Sequence, residues 1–332
     1  MNEEVIHMAN IKQIAKTAGV SITTVSRVLN DHPYVSDEKR KRVLDAVEEL
    51  NYAKNINAIH LITGKTLTVG VMLPFINLPY FSTIIEGIGN EALAAGYQIN
   101  LCQTNYDSKE EIRVLEMMKM KQFDGMIICS RASSWEQIEP FAKFAPIISC
   151  EKMEHPLVSS VYVNHYEGFR IGTEYLLRKG HEKIGFCLAR QNSINTKQRE
   201  KAFSDALHTA QKRVQPDWMF YQCYNMQDGA KVLHSILNMK ERPTAIFAAN
   251  DQVAAGLTTE ARKHGLRVPE DLAILGFDNH EISTALEITT IEHPGLTMGT
   301  RAFSLFHKQI QAEQIIGSSE ELPFHLIERK TV

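Results

Sequence analysis

A short helical pattern near the N-terminus carries side chains suited to reading DNA. It turns Val25 and Val28 toward a core and leaves Ile22, Thr23 and Arg27 toward the opposite side. In the major groove an arginine reads guanine through two hydrogen bonds, and hydroxyl groups contact phosphates. The alternative is a surface helix with incidental polar residues. Because a glycine turn precedes this segment and another helical pattern follows it, we predict a DNA-reading helix.

Polar side chains also follow three apolar runs later in the chain. These pairs are Ser130-Arg131 after 126–129, Asn250-Asp251 after 245–249 and Asp278-Asn279 after 273–277. In open parallel sheets ligands bind at the carboxyl ends of the strands, where such side chains can bind sugar hydroxyls or phosphates. The alternative is that Asp251 and Asn279 only cap the helices that follow. Taken together, the pairs favour a ligand site.

Two glycine motifs are interpreted as structural. Gly64-Lys65-Thr66 resembles the end of a phosphate-binding loop, but Ile59 stands where that loop requires a glycine. The segment that begins Gly87-Ile88-Gly89 matches part of a dinucleotide-binding fingerprint, yet it lies inside a helical pattern rather than directly after a strand. We therefore expect a linker turn at the first motif and close helix packing at the second.

The chain shows no local pattern for catalysis, metal binding or a disulfide framework. Its 13 histidines form no HExxH motif and no paired metal spacing, and no GxSxG motif is present. The 5 cysteines are widely spaced and lie in or at the end of apolar runs, which is typical of buried, reduced thiols. We expect no enzyme activity, no metal site and no cofactor.

Three helices within residues 10–52 must position the DNA-reading residues. Asn10 and Gln13 form a capping signal for the first helix, and Gly19 interrupts the helical pattern. Ser21 and Ser36 are placed to cap the second and third helices. Two short helices joined by a glycine turn and closed by a third form a helix-turn-helix unit.

From residue 67 onward, short apolar runs alternate with longer amphipathic stretches. The predicted strands are 69–73, 98–102, 126–129, 147–150, 184–188, 245–249 and 273–277. The predicted helices are 81–95, 109–121, 166–179, 199–212 and 252–264. This alternation predicts βαβ units, and the number of strands favours two doubly wound parallel-sheet lobes.

Composition describes a globular chain with a basic N-terminal region. The 332 residues are 44% hydrophobic and 23% charged, with a formal net charge of −3. Residues 8–66 hold nine Lys/Arg and six Asp/Glu, a net charge of +3, so a nucleic acid would be bound by this local patch. No apolar stretch approaches 18 residues and no signal peptide is recognisable, so we expect a cytoplasmic protein without a membrane partner.

The order of these parts resembles the LacI/GalR family of bacterial transcription regulators from Met8 onward. The stretches that carry the resemblance are Val-Ser-Ile-Thr-Thr-Val-Ser-Arg-Val-Leu-Asn at 20–30, Gly180-His181, the segment 243–256 and Leu-Gly-Phe-Asp at 275–278. The resemblance implies an all-α headpiece and an α/β core like that of periplasmic binding proteins. It also implies a homodimer that represses carbon-metabolism genes from a pseudo-palindromic operator.

The family pattern assigns three domains. It implies a DNA-binding domain at 8–54, a hinge helix or linker at 55–66 and an effector-binding and dimerisation core at 67–332. Within the core, the first lobe would comprise about 67–164 and 295–321, and the second about 165–294 and 322–332. Effector binding would then change the angle between the lobes and thereby the affinity for the operator.

The family pattern also assigns roles to residues. Ile22, Thr23 and Arg27 would read bases, Ser21, Thr24, Ser26, Asn30 and Tyr34 would hold phosphates, and Leu61 would wedge into the minor groove. A sugar or phosphosugar effector would be bound by Arg199, Tyr224, Asn250 and Asp278, which match family ligand positions, together with Ser130 from the strand-end pattern. The catabolite-control branch of the family also binds the phosphocarrier HPr, and Ser304 stands where that branch presents an arginine.

Two alternatives stay open at this point. One is a regulator governed mainly by a protein partner such as phosphorylated HPr. The other, from a different class, is a solute-binding or enzymatic α/β protein with an incidental helical N-terminus. A dimer is expected rather than a tetramer, because residues 311–332 contain no apolar heptads.

Overall fold

The computed structural model describes residues 9–52 and 64–332, which fall into two compact units, Met1–Lys65 and Thr66–Val332. The N-terminal unit contains the helices α1 (Ile11–Ala18), α2 (Ile22–Leu29) and α3 (Asp37–Glu49). Apolar residues from all three helices form its small core, namely Ile14, Ala15, Ala18, Val25, Val28, Val43 and Ala46. The predicted helix-turn-helix unit is confirmed.

The helix ends in this unit follow the sequence signals with one exception. Asn10 and Gln13 form the predicted capping box, and Gly19 ends α1 with φ at 61°, a left-handed conformation that glycine adopts without strain. Ser21 caps α2 through its side chain. Ser36 stands at the N-cap position of α3, but its side chain makes no capping hydrogen bond, so the predicted cap is wrong in that respect.

The second unit is an α/β core built on two six-stranded sheets. The strands of the first sheet are β1 (Thr68–Leu73), β2 (Gln98–Gln103), β3 (Gly125–Ile128), β4 (Ile147–Ser149), β5 (Val158–Tyr162) and β11 (Ser319–Glu321). They are arranged in the order β11-β5-β4-β3-β1-β2, and every pair is parallel. The direction of strand succession reverses between β1 and β3, which is the switch point at which open α/β sheets bind ligands.

The second sheet repeats this arrangement. Its strands are β6 (Ile184–Cys187), β7 (Met219–Phe220), β8 (Ala245–Ala248), β9 (Ala273–Asp278), β10 (Thr289–Glu292) and β12 (Leu326–Ile327). They are arranged in the order β12-β10-β9-β8-β6-β7, with β12 alone antiparallel to its neighbour. The switch point of this sheet lies between β6 and β8. The prediction of two doubly wound lobes is confirmed.

Nine helices are described in the core. They are α4 (Pro79–Ala94), α5 (Ser108–Lys119), α6 (Trp135–Ile138), α7 (His165–Arg178), α8 (Ile194–Thr209), α9 (Met226–Leu237), α10 (Asp251–Lys263), α11 (Glu281–Ala285) and α12 (Gly295–Ala312). Short 3-10 turns follow α6 and precede β7. Among the described residues, no helix is both long and apolar enough to span a bilayer.

The sequence prediction missed several core elements. All seven predicted strands exist, and their ends shift by at most one residue. The strands β5, β7, β10 and β11 and the helices α9 and α12 were not predicted. The helix predicted over 199–212 begins earlier, at Ile194, where Ser193 accepts a hydrogen bond from the backbone of Thr196 and caps it. Arg199 therefore lies inside the helix rather than at its start.

The chain crosses between the two sheets three times. It leaves the first sheet between β5 and α7, returns between β10 and α12, and crosses again between β11 and β12. As a result, α12 packs in the core of the first lobe, where Met298, Ala302, Phe303 and Phe306 are buried among β1 and α4 residues. The first lobe is thus completed by a helix that follows nearly all of the second lobe in sequence.

Gly87 of α4 serves helix packing, as predicted, whereas a Cβ atom on Gly89 would meet only the Ile99 side chain at 3.9 Å, so the prediction is wrong for that glycine. A Cβ atom on Gly87 would collide with the backbone of Leu296, and one on Gly299 would collide with the backbone of Ile84, so α4 and α12 meet backbone to backbone. The five cysteines are buried and free, as the sequence indicated.

Candidate functional site

The helix α2 presents its predicted base-reading residues to solvent. Val25 and Val28 are buried in the small core of the N-terminal unit. Thr23 and Arg27 are exposed, and Ile22 keeps 46% of its surface accessible although it is a large apolar residue. An exposed apolar side chain beside an arginine and a hydroxyl suits contact with thymine methyl groups and base edges in the major groove.

The predicted phosphate-contacting residues have different surroundings. The hydroxyl groups of Ser21 and Thr24 lie 2.9 Å apart, and the Ser21 hydroxyl also accepts a hydrogen bond from the Thr24 backbone at 3.1 Å. Ser26 is half-buried, and Asn30 is the exposed C-cap of α2. Tyr34 is 84% exposed and lies beside His32. Leu61 lies outside the described residues, as do residues 55–63 of the predicted hinge helix or linker.

Two arginines of α3, not singled out in the sequence, hold the loops around α2. Arg42 donates hydrogen bonds to the backbone carbonyls of Ala18 and Gly19, at 2.5 and 3.2 Å, and so ties α3 to the turn before α2. Arg40 donates to the Asp31 carboxylate and the His32 carbonyl, at 3.1 and 2.9 Å, after α2. Arg40 and Arg42 therefore tie both ends of the exposed helix to the third helix.

An open cavity of about 130 Å³, continuous with solvent, lies at the carboxyl ends of the strands in both lobes. The cavity is lined by all five residues predicted to bind an effector, namely Ser130, Arg199, Tyr224, Asn250 and Asp278. Each stands at or near the end of a strand except Arg199, which projects from α8. Of the three strand-end pairs, the structure brings the first members Ser130, Asn250 and Asp278 together in this cavity, whereas their partners Arg131, Asp251 and Asn279 do not line it.

Arg199 is held over aromatic rings. Its guanidinium lies 4.3 Å from the ring centroid of Phe277, and its two terminal nitrogens bond the Ala249 carbonyl at 3.0 Å and His165 Nδ1 at 3.2 Å. Its Nε atom is buried without a hydrogen-bond partner among the described residues. Burial lowers the pKa of Arg199 to about 10, so it is still a cation at neutral pH. A buried, unpartnered N–H at a cavity wall is a donor for a ligand oxygen.

Asp278 reaches the cavity because the chain turns sharply at the end of β9. Asp278 and Asn279 have φ angles of 106° and 59°, a left-handed conformation that is strained for residues with a side chain. The Asn279 side chain does not cap a helix. Instead, it accepts a hydrogen bond at 2.7 Å from Arg329, which also donates to the Ile288 carbonyl and thereby fixes the turn. Asp278 lies 3.5 Å from His280 Nε2.

Asp251 is a buried structural carboxylate rather than a helix cap. Its two oxygens accept hydrogen bonds from the Thr290 hydroxyl at 2.6 Å and from the His280 backbone at 2.7 Å. Burial, reinforced by the nearby charge of Asp278, raises the pKa of Asp251 to about 7. Burial lowers the pKa of His280, but the hydrogen bond and charge of Asp278 and the charge of Asp251 outweigh burial and raise it overall.

Asn250 and Tyr224 form one connected part of the wall. Asn250 caps α10 by accepting a hydrogen bond from the Val253 backbone at 2.9 Å, and its amide donates to the Tyr224 carbonyl at 3.1 Å. The Tyr224 ring packs edge-on against Phe75 of the first lobe, with the ring centroids 6.0 Å apart. The asparagine therefore both starts a helix and fixes the aromatic wall.

The opposite wall contains residues that the sequence analysis missed. Ser130 donates to the buried Glu151 carboxylate at 2.9 Å and lies 3.3 Å from the Tyr106 hydroxyl. Burial raises the pKa of Glu151, although the charge of Arg131 opposes this effect. Arg190, in the second lobe, donates at 2.8 Å to the Arg131 carbonyl of the first lobe. Glu151 and Arg190 follow β4 and β6, so the strand-end pattern would have found both had it been applied to every strand.

Comparison with known proteins identifies the family to which this chain belongs. Residues 10–55 match the family model of bacterial regulatory proteins of the lacI family. Residues 66–330 match the model of periplasmic binding proteins and the sugar binding domain of the LacI family. The chain belongs to the LacI family. It is a transcriptional regulator of this family, and the resemblance seen in the sequence is confirmed.

Relatives and solved structures agree along nearly the whole length. The chain is 46% identical to the HTH-type transcriptional regulator YkvZ of Bacillus subtilis strain 168, over 98% of this chain and all of the relative. It is 39% identical to catabolite control protein B of the same organism, over 90% and 94% of the two chains. The lac repressor dimer bound to operator and the anti-inducer ONPF is 26% identical, with a TM-score of 0.82 over 98% and 99% of the two chains.

Proposed function

We propose that this LacI-family protein is a homodimeric repressor of carbon-metabolism genes, controlled by a sugar or phosphosugar in the cavity between its lobes. The observation that carries the proposal is the convergence of Arg199, Asn250 and Asp278 with an aromatic wall at the carboxyl ends of two sheets. Vicinal hydroxyls can accept from the arginine and donate to the aspartate. The Tyr224 ring supplies an apolar face for the ring of the sugar.

The sugars named for two solved structures of similar fold support a sugar as the class of ligand. A LacI family transcriptional regulator from Lactobacillus casei was solved with bound glucose, and it is 24% identical to this chain with a TM-score of 0.73. A cellobiose complex of the transcriptional regulator CelR is also similar in fold, with a TM-score of 0.71. In this chain the cavity adds Glu151 and Arg190 to the residues predicted from the sequence.

The effector acts through the relative positions of the two lobes. Phe75 with Tyr224, and Arg190 with Arg131, join the lobes across the cavity. A ligand that binds both walls favours the closed arrangement by the difference in its affinity for the two states. The residues that follow the linker are fixed to the first lobe, because Asp124 accepts hydrogen bonds from the backbones of Thr66 and Leu67 at 2.7 and 2.9 Å. Movement of that lobe is therefore passed to the base of the linker.

The experiment is operator selection from random DNA with the full-length protein, followed by titration of the selected DNA with sugars and sugar phosphates. We expect a pseudo-palindromic site, an affinity that falls steeply with salt because several phosphates are contacted, and a shift in affinity with one effector. Selection that recovers no preferred sequence would refute the proposal. The same titration with serine-phosphorylated HPr tests control by a protein partner, and an HPr response without any small-molecule response would reject the cleft mechanism.

Assembly is tested separately by sedimentation. We expect the mass of two protomers at micromolar concentration, since the described C-terminal residues after α12 form two short strands and no helix. A mass near four protomers would refute the dimer.

A further inference from the structure

Two neighbouring helices of the second lobe bring three metal-ligand side chains together on the surface. The helices α9 and α10 pack tightly because Gly229 and Gly256 have no side chain. A Cβ atom on Gly229 would collide with the Val253 carbonyl, and one on Gly256 would collide with the Met226 carbonyl. This close approach keeps the C-terminal halves of both helices side by side.

The three side chains are His234 of α9, Glu260 of α10 and His264, the C-cap of α10. His234 Nε2 lies 3.0 Å from Glu260 Oε1, and His264 Nε2 lies 3.5 Å from the same oxygen. One ligand atom from each residue lies within 4.8 Å of the others. The imidazole rings stand nearly perpendicular, with centroids 5.3 Å apart. Two imidazole nitrogens and one carboxylate oxygen thus face a common point.

We propose that His234, Glu260 and His264 form a binding site for a divalent transition-metal ion such as Zn²⁺. Zinc binds histidine nitrogen and carboxylate oxygen at about 2.0–2.2 Å in tetrahedral geometry, which places neighbouring ligand atoms about 3.4 Å apart. The two contacts to Glu260 are already near that separation. Three protein ligands leave a fourth position for water or an exogenous ligand, on the side where both histidines are exposed.

The surrounding charges also favour a cation. His264 ends α10 and His234 lies in the last turn of α9, and the C-terminal ends of helices carry partial negative charge. Lys263 is the one nearby competitor among the described residues. Its ammonium lies 2.9 Å from Glu260 Oε2 and leaves Oε1 to the two histidines.

The position of the site suggests what the metal does. The opposite ends of the same two helices are capped by Asn225 and Asn250, next to the cavity. An ion joining the C-terminal ends would clamp the helix pair and stabilise the second lobe. The site itself does not depend on the identity of the cavity ligand or on DNA binding.

The test is titration of the tag-free, full-length protein with Zn²⁺ in competition with a chromophoric chelator. We expect one high-affinity equivalent per chain, a melting temperature that rises with Zn²⁺, and a visible spectrum of tetrahedral type with Co²⁺. His234→Ala and His264→Ala should each weaken binding by more than about tenfold, because each removes a ligand. His208→Ala removes an exposed histidine from the last turn of α8 and should leave binding unchanged.

Lys263→Ala separates this site from adventitious binding at surface histidines. Removal of the competing ammonium should tighten Zn²⁺ binding, since Glu260 then keeps both oxygens available. Binding that is unaffected by His234→Ala and His264→Ala, or equally weakened by His208→Ala, would overturn the proposal. The absence of a high-affinity equivalent in the unmodified protein would also overturn it, and neither result would bear on operator binding.

Discussion

The polar side chains on the predicted DNA-reading helix α2 and those in the cavity differ in exposure and in hydrogen bonding. On α2, Thr23 and Arg27 are exposed, and within the described residues no hydrogen bond or ion pair engages either side chain. In the cavity, Arg199 and Asn250 are fixed by neighbours before any ligand arrives. An exposed cation stays hydrated until a phosphate or a base replaces the water. A buried cavity group has already lost its water, so its unused donors must be satisfied by the ligand.

This contrast indicates which interactions determine the specificity of each surface. We expect the N-terminal unit to gain most of its DNA affinity from charge and the release of counterions, and to read sequence with few side chains. We expect the cavity to select its ligand by the pattern of donors and acceptors that are left over after internal pairing. Loss of one base-reading residue on α2 should therefore change which DNA is bound, whereas loss of a cavity residue that contacts the ligand should change whether the ligand is sensed at all.

The largest effect is expected for Arg27→Ala. Loss of the bidentate contact to guanine should cost about 1–3 kcal/mol of discrimination, up to about a hundredfold in operator affinity, with little change on nonspecific DNA. Gel-shift titration of both DNAs measures this. Arg213→Ala, at an exposed arginine of the core, serves as the control and should bind operator normally. Unchanged operator affinity in the Arg27 variant would show that α2 does not read bases.

Asp278→Ala should abolish the effector response while leaving operator binding intact. The ligand hydroxyl that donates to the carboxylate would lose its acceptor, at a cost of about 1–3 kcal/mol. Isothermal titration with the effector, and operator titration with and without it, measure the two effects. Asp271→Ala, at a surface aspartate paired with Arg267 in the same lobe, is the matched control. A wild-type response in the Asp278 variant would reject the cavity assignment.

The raised pKa of Asp251 predicts that the stability of the protein depends on pH. Its folded pKa of about 7 lies above the usual value of 3.8, so the folded state holds the proton more tightly than the unfolded state. Its stabilising contribution is therefore full below about pH 4 and is lost as the pH rises toward 7, with a slope of about 1.4 kcal/mol per pH unit in the middle of that window.

Asp251→Asn should flatten this slope, because the amide does not titrate. Urea unfolding at several pH values between 4 and 7 provides the measurement. Equal slopes in the two proteins would show that the buried carboxylate is ionised throughout, and that burial does not control its titration.

The smallest effect is expected for Arg190→Ala. This arginine joins the lobes through the Arg131 carbonyl and lies 3.7 Å from the Tyr106 ring centroid. Its loss should weaken the closed arrangement by about 1 kcal/mol, or about fivefold in effector affinity, without abolishing the response. A loss as complete as that of Asp278→Ala would mean that Arg190 contacts the effector directly, which would shift the site toward the lobe boundary.

The sequence predicted elements whose signals are local and missed those that depend on tertiary context. The helix-turn-helix was readable because capping residues, Gly19 and the apolar spacing all lie within a few residues of each other. The helix α12 begins Gly-Leu-Thr-Met-Gly-Thr, a weak helical sequence, and it forms because its glycine and apolar face pack on α4. The strands β7 and β11 have only two or three residues each and gain their partners at sheet edges.

The residues of the candidate site also divide into those with a local sequence signal and those without one. Ser130, Asn250 and Asp278 follow strong apolar runs, so the strand-end rule placed them at the cavity. The strained turn at Asp278 depends on Arg329, fifty residues away and without a local signal. A metal-ligand motif is recognised in a sequence by the spacing of residues within one segment. His234 has no such spacing to Glu260 and His264, and it joins them only after α9 and α10 pack together.

The position of α12 also governs the order in which the protein can be completed during synthesis. The N-terminal unit is finished first, whereas Ile84 and Ile88 of α4 are fully buried in a core that includes residues of a helix beginning at Gly295. We therefore expect the nascent first lobe to leave part of the apolar face of α4 uncovered throughout translation of the second lobe, and exposed apolar surface of this kind is prone to aggregation and is bound by chaperones. A chain that terminates before Gly295 would leave that face uncovered permanently, and neither lobe can be separated from the other by a single cut.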